Sequence, residues 1–68
     1  MIINPKKLKE LRKERGMTQQ EFADLVGVSM QSVYLWERGV VDPAIGSILL
    51  ISTKLDIDPS ELWKKEEQ

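Results

Sequence analysis

The sequence predicts an all-α fold, a compact bundle of five short helices. Helix-start signals recur along the 68 residues, and the apolar residues between them fall at helical spacing. No segment shows the sustained alternation of apolar and polar residues that is typical of a strand. Because a chain this short buries only about 60% of its unfolded surface, we expect residues 1–68 to form a single domain with one modest core.

The first predicted helix begins at Asn4-Pro5, because asparagine caps free backbone amides and proline fits the first helical position. Four residues then share one face at helical spacing, namely Leu8, Leu11, Arg12 and Arg15. Gly16 follows as a left-handed stop, so the helix is expected to end there.

The second and third predicted helices lie close together. Thr18 and Glu21 have the spacing of a capping box, in which each side chain satisfies a free backbone amide of the other residue. The residues expected to point inward from the second helix are Phe22, Ala23 and Val26. Gly27 ends it, Ser29 caps the third helix almost at once, and Gly39 ends that one. Two short helices joined by a turn of roughly three residues form a helix-turn-helix.

Two further helices complete the prediction. Asp42-Pro43 is expected to start the fourth helix in the same way that Asn4-Pro5 starts the first. Its expected buried stripe consists of Ile45, Ile48, Leu49, Ser52 and Leu55. Asp58-Pro59-Ser60-Glu61 repeats the start signal for a short last helix that carries Leu62 and Trp63.

The composition excludes several kinds of site. The chain has no cysteine and no histidine, which removes disulfides, zinc–thiolate sites, thiol catalysis and the usual general base at neutral pH. The neighbouring carboxylates Asp56/Asp58 and Glu66/Glu67 are better explained as helix caps and a solvated tail. No glycine-rich phosphate loop or metal-ligand cluster is present in the sequence. We therefore expect neither an enzyme nor a cofactor.

Targeting signals are also missing from the sequence. The longest apolar run, Ile48-Leu49-Leu50-Ile51, is far shorter than the roughly 20 residues of a membrane span. No apolar signal stretch follows the basic N-terminus. A soluble, cytoplasmic protein with no membrane partner is the expectation.

The charges are unevenly distributed along the chain. Residues 1–38 carry seven Lys and Arg against five Asp and Glu, whereas residues 39–68 carry three against six. Six of the ten basic residues lie between Lys6 and Arg15. This division fits a weak contact with a polyanion on one side of the domain. Helix-end charges and surface solubility account for it equally well.

The stretch from Thr18 to Gly39, TQQEFADLVGVSMQSVYLWERG, resembles the Cro/repressor-type helix-turn-helix family, also called XRE-like. Its most specific features are Thr18-Gln19 with Glu21, Ala23, Gly27-Val28-Ser29, Val33 and Trp36-Glu37-Arg38-Gly39. A basic first helix precedes it and the segment DIDPSELW closes the chain, so the resemblance covers nearly the whole sequence. It implies a lambda-repressor-like DNA-binding domain.

The third helix, about residues 29–38, has two distinct sides. At 100° per residue, Val33, Trp36 and Glu37 cluster on one side, where we expect the two apolar residues to enter the core. The other side carries Gln31, Leu35 and Arg38, flanked by Ser32 and Tyr34. A DNA major groove is about 12 Å wide and would admit this second side. Glu37 points inward, and the resemblance implies that it pairs with Arg12 as a largely buried structural ion pair; two exposed charges are the alternative.

The DNA-binding hypothesis also assigns contacts, and for Gln19 the resemblance implies the same role. Gln19 would grip a phosphate at the start of the second helix, and Gln31 would bond adenine. Leu35 would touch a thymine methyl group, and Arg38 would reach a phosphate. An ordinary solvated glutamine and a favourable helix C-terminal cation are the alternatives for Gln19 and Arg38. The full predicted set is Thr18, Gln19, Ser29, Met30, Gln31, Ser32, Leu35 and Arg38.

Two functions remain open at this point. The first is a sequence-specific transcriptional regulator, a dimeric repressor on a two-fold symmetric operator in double-stranded DNA, joined through the fourth and fifth helices. The second is a protein-interaction module, antitoxin-like or an anti-repressor partner, which uses the apolar residues Met30, Tyr34 and Leu35. The family often has Arg or Lys at the positions of Met30 and Leu35, and basic residues where this chain has Val40-Val41-Asp42. Further exposed apolar surface is expected at Leu50, and near the termini at Ile2, Ile3, Leu62 and Trp63.

Overall fold

The computed structural model describes residues 3–63, which form four α-helices followed by a 3-10 turn. Helix α1 spans Pro5–Glu14, α2 spans Gln19–Val26, α3 spans Met30–Arg38 and α4 spans Ile45–Leu55. The all-α class is confirmed, but the fifth helix is wrong, because Pro59–Leu62 is a 3-10 turn. Trp63 has extended backbone angles and forms an antiparallel bridge with Ile3, so the backbone there pairs with the N-terminal segment and does not continue a helix.

The predicted starts of α1, α2 and α3 are confirmed by their capping hydrogen bonds. The Asn4 side-chain oxygen accepts from the backbone N–H groups of Lys6 and Lys7 at 3.0 and 3.3 Å. In the capping box, Thr18 Oγ1 accepts from the Glu21 N–H at 3.0 Å, and the Thr18 N–H donates to Glu21 Oε1 at 2.9 Å. Ser29 Oγ accepts from the Ser32 N–H at 3.2 Å. These caps fix where the two helices of the central motif begin.

The turn between α2 and α3 depends on glycine. Gly27 ends α2 with a φ of 84°, a left-handed conformation that residues with a Cβ rarely adopt. Gly39 ends α3 in the same way with a φ of 75°. Both predicted stops are confirmed, and each lets the chain reverse direction immediately after the helix.

The predicted start of α4 is wrong. The helix begins at Ile45, and its N-cap residue Ala44 makes no side-chain capping bond. The Asp42 carboxylate instead accepts from the backbone N–H of Ile3 at 3.4 Å, and Pro43 is buried. A contact with the distant N-terminal segment has replaced the local cap that the sequence suggested.

The buried stripe of α4 is rotated from the one predicted. Ile48, Ser52 and Leu55 are buried as expected, whereas Ile45 and Leu49 are 57% and 53% exposed. Ile51 is fully buried in their place. Because apolar residues surround much of this helix, its spacing fits more than one stripe, and packing against α2 and the 3-10 turn selects the observed one.

The core is continuous and includes both ends of the described chain. Helices α1, α2, α3 and α4 all contribute, and the buried apolar residues are Ile3, Leu8, Leu11, Phe22, Ala23, Val26, Val33, Trp36, Ile48, Ile51, Leu55 and Leu62.

The expected exposed patch near the termini is wrong for Ile3 and Leu62, which are fully buried. Trp63 is half-buried against the core, and Ile2 lies outside the described residues. The Asn4 N–H donates to the Leu62 carbonyl at 2.8 Å, which holds the two segments together.

None of the helices within residues 3–63 has the length and apolar character needed to cross a membrane.

Candidate nucleic-acid interface

A buried ion pair joins α1 to α3 beneath the central motif. Arg12 Nε donates to Glu37 Oε2 at 2.7 Å, and a second guanidinium nitrogen donates to Glu37 Oε1 at 3.1 Å. The two side chains are only 9% and 3% exposed. The third guanidinium nitrogen donates to the Met17 carbonyl at 2.7 Å. Every guanidinium nitrogen therefore has a partner, and the two charges neutralise each other inside the domain.

Gln19 joins this pair from α2. Its side-chain Nε2 donates to Glu37 Oε1 at 3.1 Å, and the residue is half-buried. The Glu37 carboxylate thus connects α1, α2 and α3. Sequence reasoning missed the Gln19–Glu37 bond, because 18 positions separate the two residues and no local pattern marks the contact.

The opposite side of α3 is open. Met30 and Tyr34 are 45% and 41% exposed. Gln31 and Arg38 are also exposed, and Leu35 is half-buried. We call these residues, Met30, Gln31, Tyr34, Leu35 and Arg38, the α3 outer face. Val33 and Trp36 on the other side of the helix are buried, as the helical spacing predicts.

Gln31 is the polar residue of this face whose side chain is available to a ligand. Its amide makes no hydrogen bond to another residue within the described part of the chain. An exposed primary amide presents two donors and an acceptor. The rigid helix beneath it therefore presents an unoccupied hydrogen-bonding group to solvent.

Arg38 and Tyr34 form a pair at the C-terminal end of α3. A guanidinium nitrogen of Arg38 donates to Tyr34 Oη at 2.8 Å. The guanidinium carbon lies 5.6 Å from the centroid of the tyrosine ring, within the range of a cation–π contact. The four-residue spacing of the two side chains is the signal by which the sequence could have revealed this pair.

The hydroxyl groups of the predicted site take part in capping. Thr18 Oγ1 serves the capping box of α2, and Ser29 Oγ caps α3. Ser29 Oγ and Ser32 Oγ are 3.1 Å apart and share a hydrogen bond. These three residues hold the N-terminal ends of the two motif helices.

The loop after α3 adds apolar surface to this region. Val40 and Val41 are exposed, and Asp42 is turned toward Ile3. The exposed lysines of residues 3–63 lie elsewhere: Lys6, Lys9 and Lys13 are on α1, and Lys54 is on α4. Among residues 3–63, no group of three or more acidic side chains is placed to hold a metal ion.

The sequence profile of the HTH_3 family, described as helix-turn-helix, matches residues 8–62 of this chain. The chain belongs to the HTH_3 family. This XRE-like membership confirms the resemblance inferred from Thr18–Gly39. An uncharacterized HTH-type transcriptional regulator of Bacillus subtilis, YqaE, is 34% identical over 59 residues, which cover 87% of this chain and 51% of the relative. The chain spans about half the length of the curated relatives it matches.

Solved structures of HTH_3-like regulators superpose closely on this domain. The restriction-modification controller protein C.AhdI from Aeromonas hydrophila has a TM-score of 0.80 and 37% identity, covering 87% of this chain and 89% of its own. The P22 c2 repressor, solved in complex with a synthetic operator, has a TM-score of 0.82 and 28% identity, covering 88% and 91%. The all-helical fold of this chain is therefore similar to that of Cro/C1-type repressors.

Proposed function

We propose that this HTH_3 domain is the sequence-specific DNA-binding part of a transcriptional regulator, and that α3 enters the major groove. The observation that carries the proposal is the open α3 outer face, on a helix anchored by Val33, Trp36 and Glu37. This face presents the Gln31 amide, which has no partner within residues 3–63. The similar P22 c2 repressor has been solved with an operator, which supports the same use of this fold. The major groove of DNA is wide enough to admit an α-helix.

The residues of the motif have distinct roles in this proposal. Gln31 contacts a base edge, with Met30 and Ser32 beside it at the end of α3 that enters the groove. Leu35 contacts an apolar group one turn further along the helix. Arg38 and the Thr18–Gln19 end of α2 contact phosphates, and Ser29 fixes the turn between the helices.

Gln19 and the buried ion pair act together in this assignment. One amide hydrogen of Gln19 goes to Glu37, and the amide has a second hydrogen for a phosphate oxygen. Arg12 and Glu37 are then positioning residues, because they orient Gln19 without touching the DNA.

The surface of α4 supports the proposal of a homodimer on a two-fold symmetric operator. Ile45, Leu49 and Leu50 are exposed on this helix, and we assign the dimer contact to α4 and the 3-10 turn. Few cations surround α3, so a second copy would double the phosphate contacts and read a second half-site about one helical turn away. Repression would result from occupying the operator.

Selection from a random pool of DNA duplexes at low salt tests this function. We expect enrichment of a two-fold symmetric site. Its affinity should fall about tenfold between about 50 and 200 mM salt, because a dimer brings two Arg38 cations to the phosphates. Arg38→Ala should weaken binding to all sequences and reduce the salt slope by about two, since each dimer loses both cations. Lys13→Ala, which removes an exposed cation from α1, is the matched control and should change neither quantity.

Two results would contradict the proposal. If no duplex is retained at low salt, α3 does not read DNA. If the only binding partner is retained at all salt concentrations, its contact is apolar, and the partner is a protein. Enrichment of a site without two-fold symmetry would contradict the proposed homodimer but would still support the DNA-binding function.

A further inference from the structure

The α3 outer face is poor in the chemistry that recognises guanine. The commonest specific contact to guanine is an Arg or Lys bonded to O6 and N7 in the major groove. Helix α3 has nine residues, MQSVYLWER, and Arg38 is its one basic side chain. The face therefore offers a single candidate for this contact to guanine.

Arg38 is held away from the start of α3. It lies seven residues after Gln31, which is about 10 Å along a helix. One of its guanidinium nitrogens donates to Tyr34 Oη at 2.8 Å, and the tyrosine ring lies beneath the guanidinium. Because recognition helices read bases with their N-terminal residues, this cation sits at the end that faces the phosphate backbone.

The same face matches the groove edge of an A·T pair. Adenine presents N7 as an acceptor and the N6 amino group as a donor, and a glutamine amide can bond both at once. The exposed Gln31 amide has no competing partner within residues 3–63. Adenine is therefore the base whose hydrogen-bonding pattern Gln31 complements.

The apolar side chains around Gln31 match thymine. The thymine C5-methyl is the apolar group that the four bases present in the major groove. Met30 and Leu35 flank Gln31 on the outer face, and Met30 is 45% exposed. Against a G·C pair these side chains would cover polar base edges without satisfying them, which is unfavourable. Against A·T pairs they cover methyl groups.

We infer that this domain selects A·T base pairs beneath α3, with Gln31 reading adenine and Leu35 reading a thymine methyl, and that it requires no G·C pair at those positions. The inference rests on the proposed DNA-binding function. It names the class of operator and makes the methyl group itself a determinant of affinity.

Uracil substitution tests the methyl contact without changing the protein. The probe is the duplex enriched from the random pool, in which each thymine of one half-site is replaced in turn by deoxyuridine. This change removes only the C5-methyl and keeps every hydrogen bond. At one or two positions we expect affinity to fall about threefold to tenfold, the loss of roughly one buried methyl group. The remaining positions should show no change.

Protein variants assign each contact to its side chain. Leu35→Ala should bind the thymine and uracil duplexes equally at the sensitive position, while Leu35→Met should keep the difference. Gln31→Ala should lose its preference for adenine at one position by about 5- to 150-fold. Gln20→Ala removes an exposed glutamine from α2 and should keep the same base preferences. Circular dichroism checks that each variant is folded.

The outcomes separate this inference from the function on which it rests. Salt-sensitive binding to a site that requires G·C pairs under α3 would overturn the inference and leave the proposed function standing. Uracil duplexes that all bind like the thymine duplex would do the same. If no duplex binds at low salt, both proposals fail.

Discussion

Arg12 and Glu37 illustrate how much one pair of side chains contributes in so small a domain. Their charges are almost fully buried, and each depends on the other for compensation. Breaking such a pair by removing one partner leaves an unpaired charge in the interior, which costs far more than the net stabilisation of the intact pair.

Glu37→Ala should therefore destabilise the domain by about 3–5 kcal/mol, because Arg12 would remain buried without its carboxylate. Chemical denaturation of both proteins at the same pH measures the difference. Glu14→Ala is the control, since Glu14 is 63% exposed and lies 4.0 Å from Arg15. That variant should lose less than about 1 kcal/mol. A loss of that small size for Glu37→Ala would contradict the buried-pair interpretation.

At this scale the sequence predicted residue orientation better than residue contacts. Helical spacing placed Glu37 on the inner side of α3, and the resemblance paired it with Arg12. The bond from Gln19 to Glu37 and the commitment of Asp42 to Ile3 depend on the packing of distant segments, which no local pattern specifies. The base-contacting roles of Gln31 and Leu35 stay predictions.

At the scale of the helices, three of the four glycines, Gly27, Gly39 and Gly46, occupy different environments. Gly27 and Gly39 have positive φ, whereas Gly46 lies inside α4. A Cβ on Gly39 would approach Pro5 Cγ at 3.3 Å, while a Cβ at either of the other two would meet nothing within 4 Å.

Alanine substitutions should therefore have different effects at these sites. Gly27→Ala should cost about 1–2 kcal/mol from the left-handed backbone alone. Gly39→Ala should cost more, because its Cβ also presses on Pro5. Gly46→Ala should stabilise the domain by about 0.4–1 kcal/mol, since alanine fits the helical backbone there and restricts the unfolded chain. Thermal and urea denaturation of the three variants give the ranking, and equal losses at Gly27 and Gly39 would exclude the Pro5 contact.

The 3-10 turn responds to pH through its cap. The Asp58 carboxylate accepts a hydrogen bond from the Ser60 backbone N–H at 2.8 Å, and this bond lowers the pKa of Asp58 below its ordinary value of 3.8. A carboxyl whose pKa is lower in the folded state stabilises the fold above its unfolded pKa. That contribution is lost as the pH falls through the folded pKa.

An NMR titration of the Asp58 carboxyl should accordingly give a midpoint below 3.8. Asp58→Asn should make the free energy of unfolding fall less at acid pH, because the variant has no carboxyl group to protonate at this cap. Asp56→Asn is the control, since Asp56 is an exposed carboxylate on the neighbouring turn. A midpoint at or above the ordinary value would show that the cap is not formed in solution.

The helices also show why some boundaries could be predicted and others could not. Starts and stops of α1, α2 and α3 are set by local hydrogen bonds, so Asn4, Thr18, Ser29 and the glycines identify them in the sequence. The start of α4 and its buried stripe are set by tertiary packing. Helix α4 is apolar both on the side of Ile48 and on the side of Leu49, so contacts with neighbouring elements determine which side is buried.

At the scale of the whole molecule, the first and last described segments of the chain pack against each other and complete the core. Ile3 and Leu62 are fully buried, and the segments that carry them are joined by a backbone bridge and by the Asn4–Leu62 hydrogen bond. Contacts of the 3-10 turn with α1 and α4 complete the core on this side.

Leu62→Ala should destabilise the whole domain by about 2–5 kcal/mol, because it leaves a cavity where both ends pack. Urea denaturation at low protein concentration provides the measurement. Leu50→Ala removes the same side chain from an exposed position of α4 and should change stability by about 0.5 kcal/mol or less. If the two variants behave alike, the terminal segments do not belong to the cooperative core.

The bridge between Ile3 and Trp63 also brings the first and last described residues within reach of one short connection. A short peptide joining residue 63 to residue 3 would make the backbone a ring without moving any helix. Such a ring would have fewer conformations when unfolded, so it should melt at a higher temperature than the linear chain.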